Sequence, residues 1–514
     1  MRRLWRPKYW IGVVLAIPLL IMFPAYAYYS SQNRDVPYDW LQFNFDAQHS
    51  GNDVQEHLIN LDNVSTLHRL FQTTLNGTYL SVADGAPAYI SQIRTTNGVH
   101  DLLFVTTMPG DLIALDAQTG AQLWAHQTNP SDPCYIHKNT NPCYTTSSPA
   151  IDPDRQYVYS YGLDGCVHKY RISDGTEIMT GGWPEMATHK GYEEKGSSAL
   201  SIVADKQGHH YLYVTHAGYP GDGGDYQGHV TIIDLVDGKQ HVINALCMTQ
   251  ADTQFEPPDA QPDCSEQQAG IWARSGVVYD PDMDRIYVST GNGAFDPEAG
   301  NWGDSVLAFH PNGSGVNIGN PLDSYTPANA DEMNDTDSDL GSAEPTILPP
   351  TEWHHYAVQG GKDAKIRIID LDNMSAQGHP GAMGGELPGS LLPIPQGGQL
   401  LTQPVAWTNP TNGQVWVLVG NYSGLSGIPL NESGSGWQTP WVDKDSGCWS
   451  PIVANGVLFC VGGTAIRAFD PLTGIEKWHD DTLGSMHWQG PIVANGVLYV
   501  TDNAQHVSAY TIGH

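Results

Sequence analysis

The sequence is poor in basic residues. Lys and Arg together number 23, against 55 Asp and Glu, so the formal net charge is −32 over 514 residues. This excess of negative charge argues against a nucleic-acid partner, because phosphates would be repelled. An acidic surface favours solubility and is compatible with divalent cations.

Several motifs that identify common enzyme classes are absent. No C-x-x-C-H motif occurs, so the chain carries no covalently attached c-type haem. A G-x-S-x-G elbow, a P-loop and a dinucleotide-binding fingerprint are also missing. The adjacent pairs His209-His210 and His354-His355 lack the spacing of H-E-x-x-H, and no Cys/His cluster has zinc spacing. The sequence therefore does not indicate a serine hydrolase, a nucleotide-dependent enzyme or a zinc protease.

The N-terminus predicts export from the cytoplasm. Four basic residues precede an apolar run at 10–29, and Ala25-Tyr26-Ala27 forms an A-x-A cleavage site. Residues 1–27 are accordingly interpreted as a signal peptide. An uncleaved membrane anchor is the alternative, since the run is just long enough to span a bilayer and would associate the protein with a membrane. Both interpretations predict a secreted, periplasmic or cell-surface protein.

Seven cysteines fit an oxidising compartment. Spacing cannot determine their connectivity, but it suggests three candidate disulfides and leaves Cys166 over. The candidate pairs are Cys134/Cys143, Cys247/Cys264 and Cys448/Cys460.

Turn formers and strand formers are abundant, and one segment is repeated. The chain has 55 Gly, 35 Pro, 25 Tyr and 15 Trp, which favours an all-β fold. PIVANGVL occurs at 451–458 and again at 491–498. PIVA predicts a strand, Asn-Gly a type I′ turn, and the following apolar residues a returning strand. A third strand follows each copy, and the first copy adds a fourth that ends at Trp478. Four strands in about forty residues are typical of a propeller blade.

The same pattern occurs six more times upstream and predicts an eight-bladed β-propeller. The last blade lacks its outer strand, and residues 66–75 are predicted to supply it and close the ring. The predicted division is a signal peptide at 1–27, a lead-in at 28–64 and a propeller at 65–514. Trp124 and Trp478 are predicted to pack between blades. The upstream repeats lie at 85–124, 147–178, 198–242, 273–313, 343–373 and 402–436.

These repeats resemble the PQQ-type propellers of quinoprotein dehydrogenases over roughly residues 39–512. The resemblance rests on blades such as GDLIALDAQTGAQLW and on the opening segment DWLQFNFDAQHSGND at 39–53. The ordered segments GIWARSGVVYDP, IYVSTGNGAFDPEAGNWGDSVLAF, DLGSAEPTIL and VQGGKDAKIRIIDLDN are similar to the poly(vinyl alcohol) dehydrogenase-like branch. The resemblance implies PQQ and Ca²⁺ as cofactors. It also implies oxidation of a small or polymeric alcohol, with electrons passing to a separate cytochrome or quinone.

The resemblance also implies roles for individual residues. Trp272 would stack on the quinone, Lys362 would hydrogen-bond its oxygens, and Asn292 would bind the metal through its amide oxygen. A tryptophan between blades, an exposed turn lysine and a turn asparagine are the structural alternatives. The usual metal-binding Glu of the third blade has no clear counterpart, and Asp222 or Asp225 would substitute for it.

The catalytic carboxylate is expected within MNDTDSDLGS, which aligns in more than one way. The base position falls on Asn334 or Asp335, and Asp335 would then also contact the metal. Asp337 and Asp339 match the later acids of the motif, and Asp337 is the second candidate base. If Asn334 is the equivalent residue, the base is lost, because an amide does not accept a proton at neutral pH. The adjacent Cys-Cys pair of the alcohol dehydrogenases is also absent.

Two functional hypotheses follow. The first is an extracytoplasmic, PQQ- and Ca²⁺-dependent alcohol oxidoreductase. The second is a propeller that kept the fold without the cofactor and acts as a binding or assembly scaffold. A scaffold would use its rim loops or blade edges and would need no carboxylate directed at the central channel.

Overall fold

The computed structural model describes residues 36–76, 81–128, 134–250, 252–257, 262–351 and 354–513. The predicted signal peptide or anchor at 1–27 lies outside the described residues. Within the described ranges, no helix is long and apolar enough to cross a membrane. Residues from Tyr38 onward belong to one folded unit, so most of the predicted lead-in packs with the ring.

The first strands of the chain are two N-terminal strands and the strands of blades 1 to 4. The N-terminal strands are β1 (Asn52–Asp53) and β2 (His68–Thr74). Blade 1 contains β3 (Ala88–Thr95), β4 (Gly98–Thr106), β5 (Leu112–Asp116) and β6 (Gln122–His126), and blade 2 contains β7 (Ala150–Ile151), β8 (Tyr157–Tyr161), β9 (Cys166–Arg171) and β10 (Glu185–Met186). Blade 3 contains β11 (Glu194–Gly196), β12 (Ser201–Ala204), β13 (His210–Gly218), β14 (His229–Asp234) and β15 (Gln240–Asn244). Blade 4 contains β16 (Val278–Asp280), β17 (Arg285–Ser289), β20 (Val306–Phe309) and β21 (Asp323–Tyr325), with the inserted hairpin β18 (Phe295–Asp296) and β19 (Asn301–Trp302).

Blades 5 to 8 follow in chain order. Blade 5 contains β22 (Thr346–Ile347), β23 (Tyr356–Gly360), β24 (Lys365–Asp370) and β25 (Leu392–Pro393), and blade 6 contains β26 (Val405–Thr408), β27 (Val415–Asn421), β28 (Gly424–Pro429) and β29 (Trp441–Asp443). Blade 7 contains β30 (Trp449–Ala454), β31 (Val457–Gly462), β32 (Ala465–Phe469) and β33 (Glu476–Asp480), and blade 8 contains β34 (Ile492–Ala494), β35 (Val497–Thr501) and β36 (His506–Thr511). The described helices are α1 (Ala330–Asp335) and the 3₁₀ turns Val64–Thr66, Ile136–Lys138 and Leu340–Ser342.

Antiparallel pairing of successive strands produces the eight sheets, so the predicted eight-bladed propeller is confirmed. Middle strands such as β5 and β35 are buried along their whole length, because a neighbouring blade covers each face. Strand β2 lies at an outer edge, and its residues alternate between exposed and half-buried. The outer strand of blade 6, at Trp441–Asp443, follows the predicted end of that repeat, because a Gly/Ser-rich turn separates it from β28.

The N-terminal strand closes the ring as predicted. Strand β2 pairs antiparallel with β36 from Thr74 and His506 at one end to His68 and Thr511 at the other. It supplies the fourth strand of blade 8. Strand β1 adds a further parallel contact to blade 7 through β30.

The repeated Asn-Gly turns have the predicted geometry. Asn455 and Gly456 have φ angles of 46° and 73°, and Asn495 and Gly496 have φ angles of 52° and 78°. Two consecutive positive φ values define a type I′ turn, which Asn and Gly adopt at low cost. Both PIVANGVL copies therefore form tight hairpins.

Aromatic side chains pack at the blade interfaces, as predicted. The Trp124 ring of blade 1 lies 6.3 Å from the Tyr170 ring of blade 2, centroid to centroid. In blade 7, Trp478 contacts Tyr510 edge to face at 5.1 Å and donates to the Leu67 carbonyl at 3.0 Å. These contacts hold neighbouring blades together.

All three predicted disulfides are present. Cys134 bonds Cys143, Cys247 bonds Cys264, and Cys448 bonds Cys460. Cys166 remains a buried free thiol.

Candidate functional site

Loops from several blades enclose a cavity of about 380 Å³, here called the central pocket. Many of its lining residues come from the long segments that interrupt the repeat. Loops held by a rigid scaffold are the usual position of binding side chains. Five of the predicted site residues line it: Asp222, Trp272, Asn292, Asp337 and Lys362. Asp339 also lines the pocket. Asp335, the exposed last residue of α1, does not line it.

A chain of polar contacts joins Trp272 to the loop that follows α1. The Trp272 Nε1 donates to Asp339 Oδ2 at 2.9 Å. The Lys362 Nζ lies 2.7 Å from Asp339 Oδ1 and 2.7 Å from Asp337 Oδ1. It also lies 5.2 Å from the centroid of the Trp272 ring. The lysine thus holds two carboxylates and one face of the indole in a fixed arrangement.

Asp337 and Asp339 differ strongly in their exposure. The Asp339 side chain is 2% exposed, whereas the Asp337 side chain is 69% exposed. Burial raises the pKa of Asp339 to about 6, against the opposing effect of Lys362. Burial also disfavours the charged form of Lys362, but Asp339 and Asp337 outweigh it and raise the lysine pKa. The network therefore keeps a charged lysine beside a carboxyl group that can change protonation near neutral pH.

The loop carrying these carboxylates is held by Asp304 and by two close backbone approaches. Asp304 Oδ1 accepts from the Leu340 N–H at 3.0 Å. A Cβ on Gly341 would lie 2.5 Å from the Gly291 nitrogen, so only glycine fits there. A Cβ on Gly291 would meet Asp339 Oδ2 and Trp272 Nε1, each at 3.3 Å. Asp304 and these glycines support the site, and the sequence analysis did not identify them.

Two oxygen donors with metal-binding chemistry line the same pocket. Asn292 Nδ2 donates to the carbonyls of Met333 and Asn334 at 3.1 and 3.3 Å. Within the part of the chain that the structure describes, no hydrogen bond reaches the Asn292 amide oxygen, which is therefore available to a ligand. Asp222 is exposed and accepts from the Tyr226 hydroxyl at 2.8 Å through one of its two oxygens. Amide and carboxylate oxygens are the ligands that Ca²⁺ prefers.

Asp225, the alternative to Asp222, has different partners. Its Oδ2 lies 3.7 Å from the Nζ of the buried Lys190. Among the described residues, the other carboxylate paired with this lysine is that of Glu194, at 3.4 Å. Asp225 is not among the residues that line the central pocket. Of the two aspartates, the structure thus brings only Asp222 to the pocket.

Two buried cations, Lys195 and Arg274, lie on the pocket wall. Arg274 donates to three main-chain carbonyls at 2.7 to 3.0 Å, those of Ser197, Asp84 and Thr146. The Lys195 ammonium lies 4.7 Å from the Tyr144 ring centroid. Among the described residues, neither cation has a carboxylate within ion-pair distance. Burial, with a contribution from Arg274, lowers the Lys195 pKa to about 7, and burial lowers the Arg274 pKa to about 10.

Arg274 occupies a recurring position of the propeller. Asp84, Thr146, Ser197 and Arg274 are each the fourth residue before the inner strand of their blade, as is Trp488 in blade 8. Equivalent positions surround the channel, which explains how Arg274 reaches three other blades and lies 6.0 Å from the Trp488 ring. This position could have been noticed in the sequence, because blade 4 has an arginine where blades 1 to 3 have a small or acidic residue.

The residues present fit a flat anionic ligand together with a hard cation. Trp272 offers an indole face, and Asn292 and Asp222 offer oxygen donors. Lys195 and Arg274 offer positive charge that only the more distant Asp84 offsets among the described residues. A buried cation without a partner is costly unless a ligand supplies the opposite charge. The donor set is thus compatible with PQQ, a planar polycarboxylate quinone, and with Ca²⁺.

The fold and this pocket define an eight-bladed propeller whose loops enclose a charged, aromatic-walled site. No family model and no curated protein matches the sequence. Among solved structures, the chain is similar to a europium-containing methanol dehydrogenase at 15% identity and a TM-score of 0.63, over 94% of this chain and 99% of that one.

Two quinohemoprotein alcohol dehydrogenases are also similar in structure. The enzyme from Pseudomonas putida HK5 has 14% identity and a TM-score of 0.61, over 94% of this chain and 81% of that one. The enzyme from Comamonas testosteroni has 12% identity and a TM-score of 0.60, over 94% of this chain and 82% of that one. At these identities the likeness establishes the fold, and activity has to be argued from the site.

Proposed function

We propose that the protein is a quinoprotein-type oxidoreductase that oxidises an alcohol with PQQ and Ca²⁺ in the central pocket. The observation that carries the proposal is that Trp272 and the buried cations Lys195 and Arg274 line the same cavity. A ligand that satisfies all three is planar and anionic. Three solved structures of similar fold are a methanol dehydrogenase and two quinohemoprotein alcohol dehydrogenases, which supports the same ligand class.

Each pocket residue then has a defined task in binding. The Trp272 indole stacks on the ring system, and Lys195 and Arg274 pair with its carboxylates. Lys362 donates to the quinone oxygens. Asn292 and Asp222 hold the metal through oxygen atoms. When bound, PQQ accepts two electrons and Ca²⁺ polarises its carbonyl.

We assign proton transfer from the substrate to Asp337. Its Oδ1 lies 2.7 Å from Lys362, which leaves Oδ2 to accept the proton of the substrate hydroxyl at the exposed mouth of the pocket. Asp335 is exposed at the end of α1 and outside the pocket, so the proposal relies on Asp337 rather than Asp335. Asp339 orients Lys362 and Trp272.

The route of the electrons and the location of the protein belong to the same proposal. Because the sequence has no C-x-x-C-H motif, electrons pass to a separate cytochrome or quinone. The N-terminal segment and the three disulfides support an extracytoplasmic protein. The alcohol is a small molecule or a polymer, as in the poly(vinyl alcohol) dehydrogenase-like branch.

Reconstitution tests the proposal directly. The purified full chain is mixed with PQQ and Ca²⁺, and bound quinone is measured by absorption after gel filtration. We expect one quinone per chain and alcohol-dependent dye reduction. Trp272→Ala is expected to weaken binding of the quinone. Absence of bound quinone at saturating cofactor would instead favour the scaffold hypothesis.

A pair of neighbouring variants tests the proton acceptor. Asp337→Asn is expected to retain the bound quinone and to abolish dye reduction. Asp335→Asn is the matched control, because it changes an exposed carboxylate two residues away, at the end of α1, that does not line the pocket. The reverse result, an inactive Asp335→Asn beside an active Asp337→Asn, would overturn the assignment to Asp337.

A further inference from the structure

A cluster of metal-ligating side chains lies at the open end of the β23–β24 hairpin in blade 5. Tyr356 at the start of β23 pairs with Asp370 at the end of β24. The Leu371 N–H donates to the His355 carbonyl at 2.8 Å and extends the pairing by one step. Residues just before β23 therefore face residues just after β24. This register brings His354 to Asp370 and Asp372.

One distance in this cluster matches the spacing of ligands around a zinc-sized ion, and the other two are short enough for a small shift of the exposed side chains to close them. His354 Nδ1 lies 3.3 Å from Asp370 Oδ2. One ligand atom from each of His354, Asp370 and Asp372 lies within 4.8 Å of the other two. With metal–ligand bonds of about 2.0–2.1 Å, the edge of a tetrahedron is about 3.3–3.4 Å. The His354–Asp370 spacing corresponds to such an edge.

The local structure holds the ligands in position. The His354 ring stacks on Tyr356, with centroids 5.3 Å apart and planes inclined by 13°. The Asp372 N–H donates to Asp370 Oδ1 at 3.0 Å, which fixes the turn that carries both carboxylates. The other Asp370 oxygen, Oδ2, remains directed at His354. The three side chains are thus oriented by a stacked ring and a hydrogen-bonded turn.

Charge and chemistry select the kind of cation. Asp372 also lies beside the neighbouring histidine: the His355 N–H donates to its Oδ2 at 3.1 Å, and His355 Nδ1 lies 3.3 Å from its Oδ1. Two carboxylates beside two neutral imidazoles still leave an excess of negative charge, which a divalent cation neutralises. A nitrogen ligand favours zinc-like transition metals over Ca²⁺, which takes oxygen ligands. The side chains of His354 and Asp372 are 49% and 41% exposed, so an ion can enter and a water can complete its coordination.

We propose that His354, Asp370 and Asp372 form a surface site for a zinc-class divalent cation. None of the three residues lines the central pocket, so the site is independent of PQQ and Ca²⁺. The ion joins the segment before β23 to the turn after β24 and stabilises that end of blade 5. The sequence spacing did not reveal it, because two of the three ligands come from the neighbouring strand.

Metal titration tests the site. The full chain is dialysed against a chelator and titrated with Zn²⁺ by calorimetry in excess Ca²⁺, which occupies the hard-cation ligands. Co²⁺ provides an independent signal through its d–d absorption. We expect one Zn²⁺ site and a rise in Tm with Zn²⁺. His354→Ala and Asp372→Asn should both remove the site and the rise in Tm.

His209→Ala is the matched control, because His209 is an exposed histidine that pairs with a single carboxylate, Asp205, at 2.9 Å. This variant should bind Zn²⁺ as the unaltered protein does. Asn292→Ala, which alters the central pocket, should also leave the zinc site intact even if the proposed function is wrong. Equal Zn²⁺ binding by His354→Ala, Asp372→Asn and the unaltered protein would mean an adventitious ion only and would overturn the proposal.

Discussion

Lys195 is a pocket residue whose charge changes near neutral pH. Its pKa of about 7 in the ligand-free pocket means that it carries a proton below pH 7 and loses it above. An anionic ligand binds the protonated form, so binding requires uptake of a proton at higher pH. The affinity for such a ligand therefore falls as the pH rises through 7.

We expect the affinity for PQQ to decrease by up to about tenfold per pH unit above pH 7, the limit for uptake of one proton. Quenching of tryptophan fluorescence in the presence of Ca²⁺ measures this. Lys195→Met should bind about 10- to 100-fold more weakly at pH 6, since one charge-assisted hydrogen bond is lost. Lys195→Arg should keep the affinity above pH 7. A similar pH dependence in Lys195→Met and the unaltered protein would show that another group titrates.

At the scale of elements, the loop between α1 and β22 decides whether the pocket is assembled. It carries Asp337 and Asp339, and its backbone packs against the strand end at Thr290 and Gly291 with no room for a side chain at Gly341. The loop position therefore depends on one glycine as much as on the Asp304–Leu340 hydrogen bond.

Gly341→Ala is expected to displace this loop and to weaken ligand binding, because the new Cβ would lie 2.5 Å from backbone atoms. The forced shift should lower the free energy of unfolding by about 1–3 kcal/mol. Gly447→Ala is the control, since its nearest neighbour is a carbonyl oxygen at an ordinary 3.6 Å. Denaturant unfolding and ligand titration measure both. If the two variants behave alike, the close approach at Gly341 does not position the loop.

The elements were predictable from the sequence to different degrees. Asn455-Gly456 and its copy at Asn495-Gly496 specify their turns locally, because only a few residues adopt positive φ cheaply. The role of residues 66–75 followed from counting strands in the last repeat. Blade 6 was harder, since the Gly/Ser-rich stretch before Trp441 carries no strand pattern.

The pocket was less predictable than the blades. Trp272, Asn292 and Lys362 were identified through family motifs, whereas the motif left Asn334 and Asp335 open at the base position and kept Asp337 as a second candidate base. That choice depends on where α1 ends and on how the next loop turns, which are tertiary features. Arg274 was missed because its partners are main-chain carbonyl groups of other blades. Every residue has such a group, so the sequence does not show which of them bind an arginine.

At the scale of the whole molecule, stability depends on joining the two ends of the ring. Strand β2 pairs with β36 and also carries Phe71, whose ring would lie 2.6 Å from a Cβ placed on Gly120 in blade 1. Phe71 thus joins the contacts between blade 8 and blade 1, which also include the Tyr499 hydroxyl donating to the Ala117 carbonyl at 3.1 Å. Open propellers would expose a sheet edge at this point.

Phe71→Ala should therefore destabilise the whole ring. We expect a loss of about 2 kcal/mol in the free energy of unfolding, below the range for a fully buried Phe because this ring is half-buried. Leu70→Ala on the same strand is the control; Leu70 is 40% exposed, and its change should cost less than about 1 kcal/mol. Denaturant unfolding compares the two. Equal losses would indicate that β2 acts through its backbone alone.

A buried acid cluster ties the N-terminal segment to the last blades and makes stability depend on pH. The Tyr38 hydroxyl lies 2.8 Å from Asp53 Oδ2 and 2.9 Å from Glu56 Oε2, so two carboxylates share one donor. Glu56 Oε2 also accepts from the Gly496 N–H at 2.9 Å in blade 8. Burial raises the Asp53 pKa to about 7, with a further contribution from Glu56. The folded protein thus favours protonated Asp53, whereas the unfolded chain ionises it near pH 4.

Between pH 4 and pH 7 the folded state holds a proton on Asp53 that the unfolded state has lost, so the free energy of unfolding falls as the pH rises. The loss amounts to about 2–4 kcal/mol and levels off above pH 7. Asp53→Asn mimics the protonated acid, because its amide donates to the Tyr38 oxygen while the hydroxyl donates to Glu56. This variant should be the more stable protein at pH 7 and show a flatter profile in denaturant unfolding at pH 4, 5.5 and 7. A profile as steep as that of the unaltered protein would mean that the other buried acids, such as Asp111 with a pKa of about 6, dominate the pH dependence.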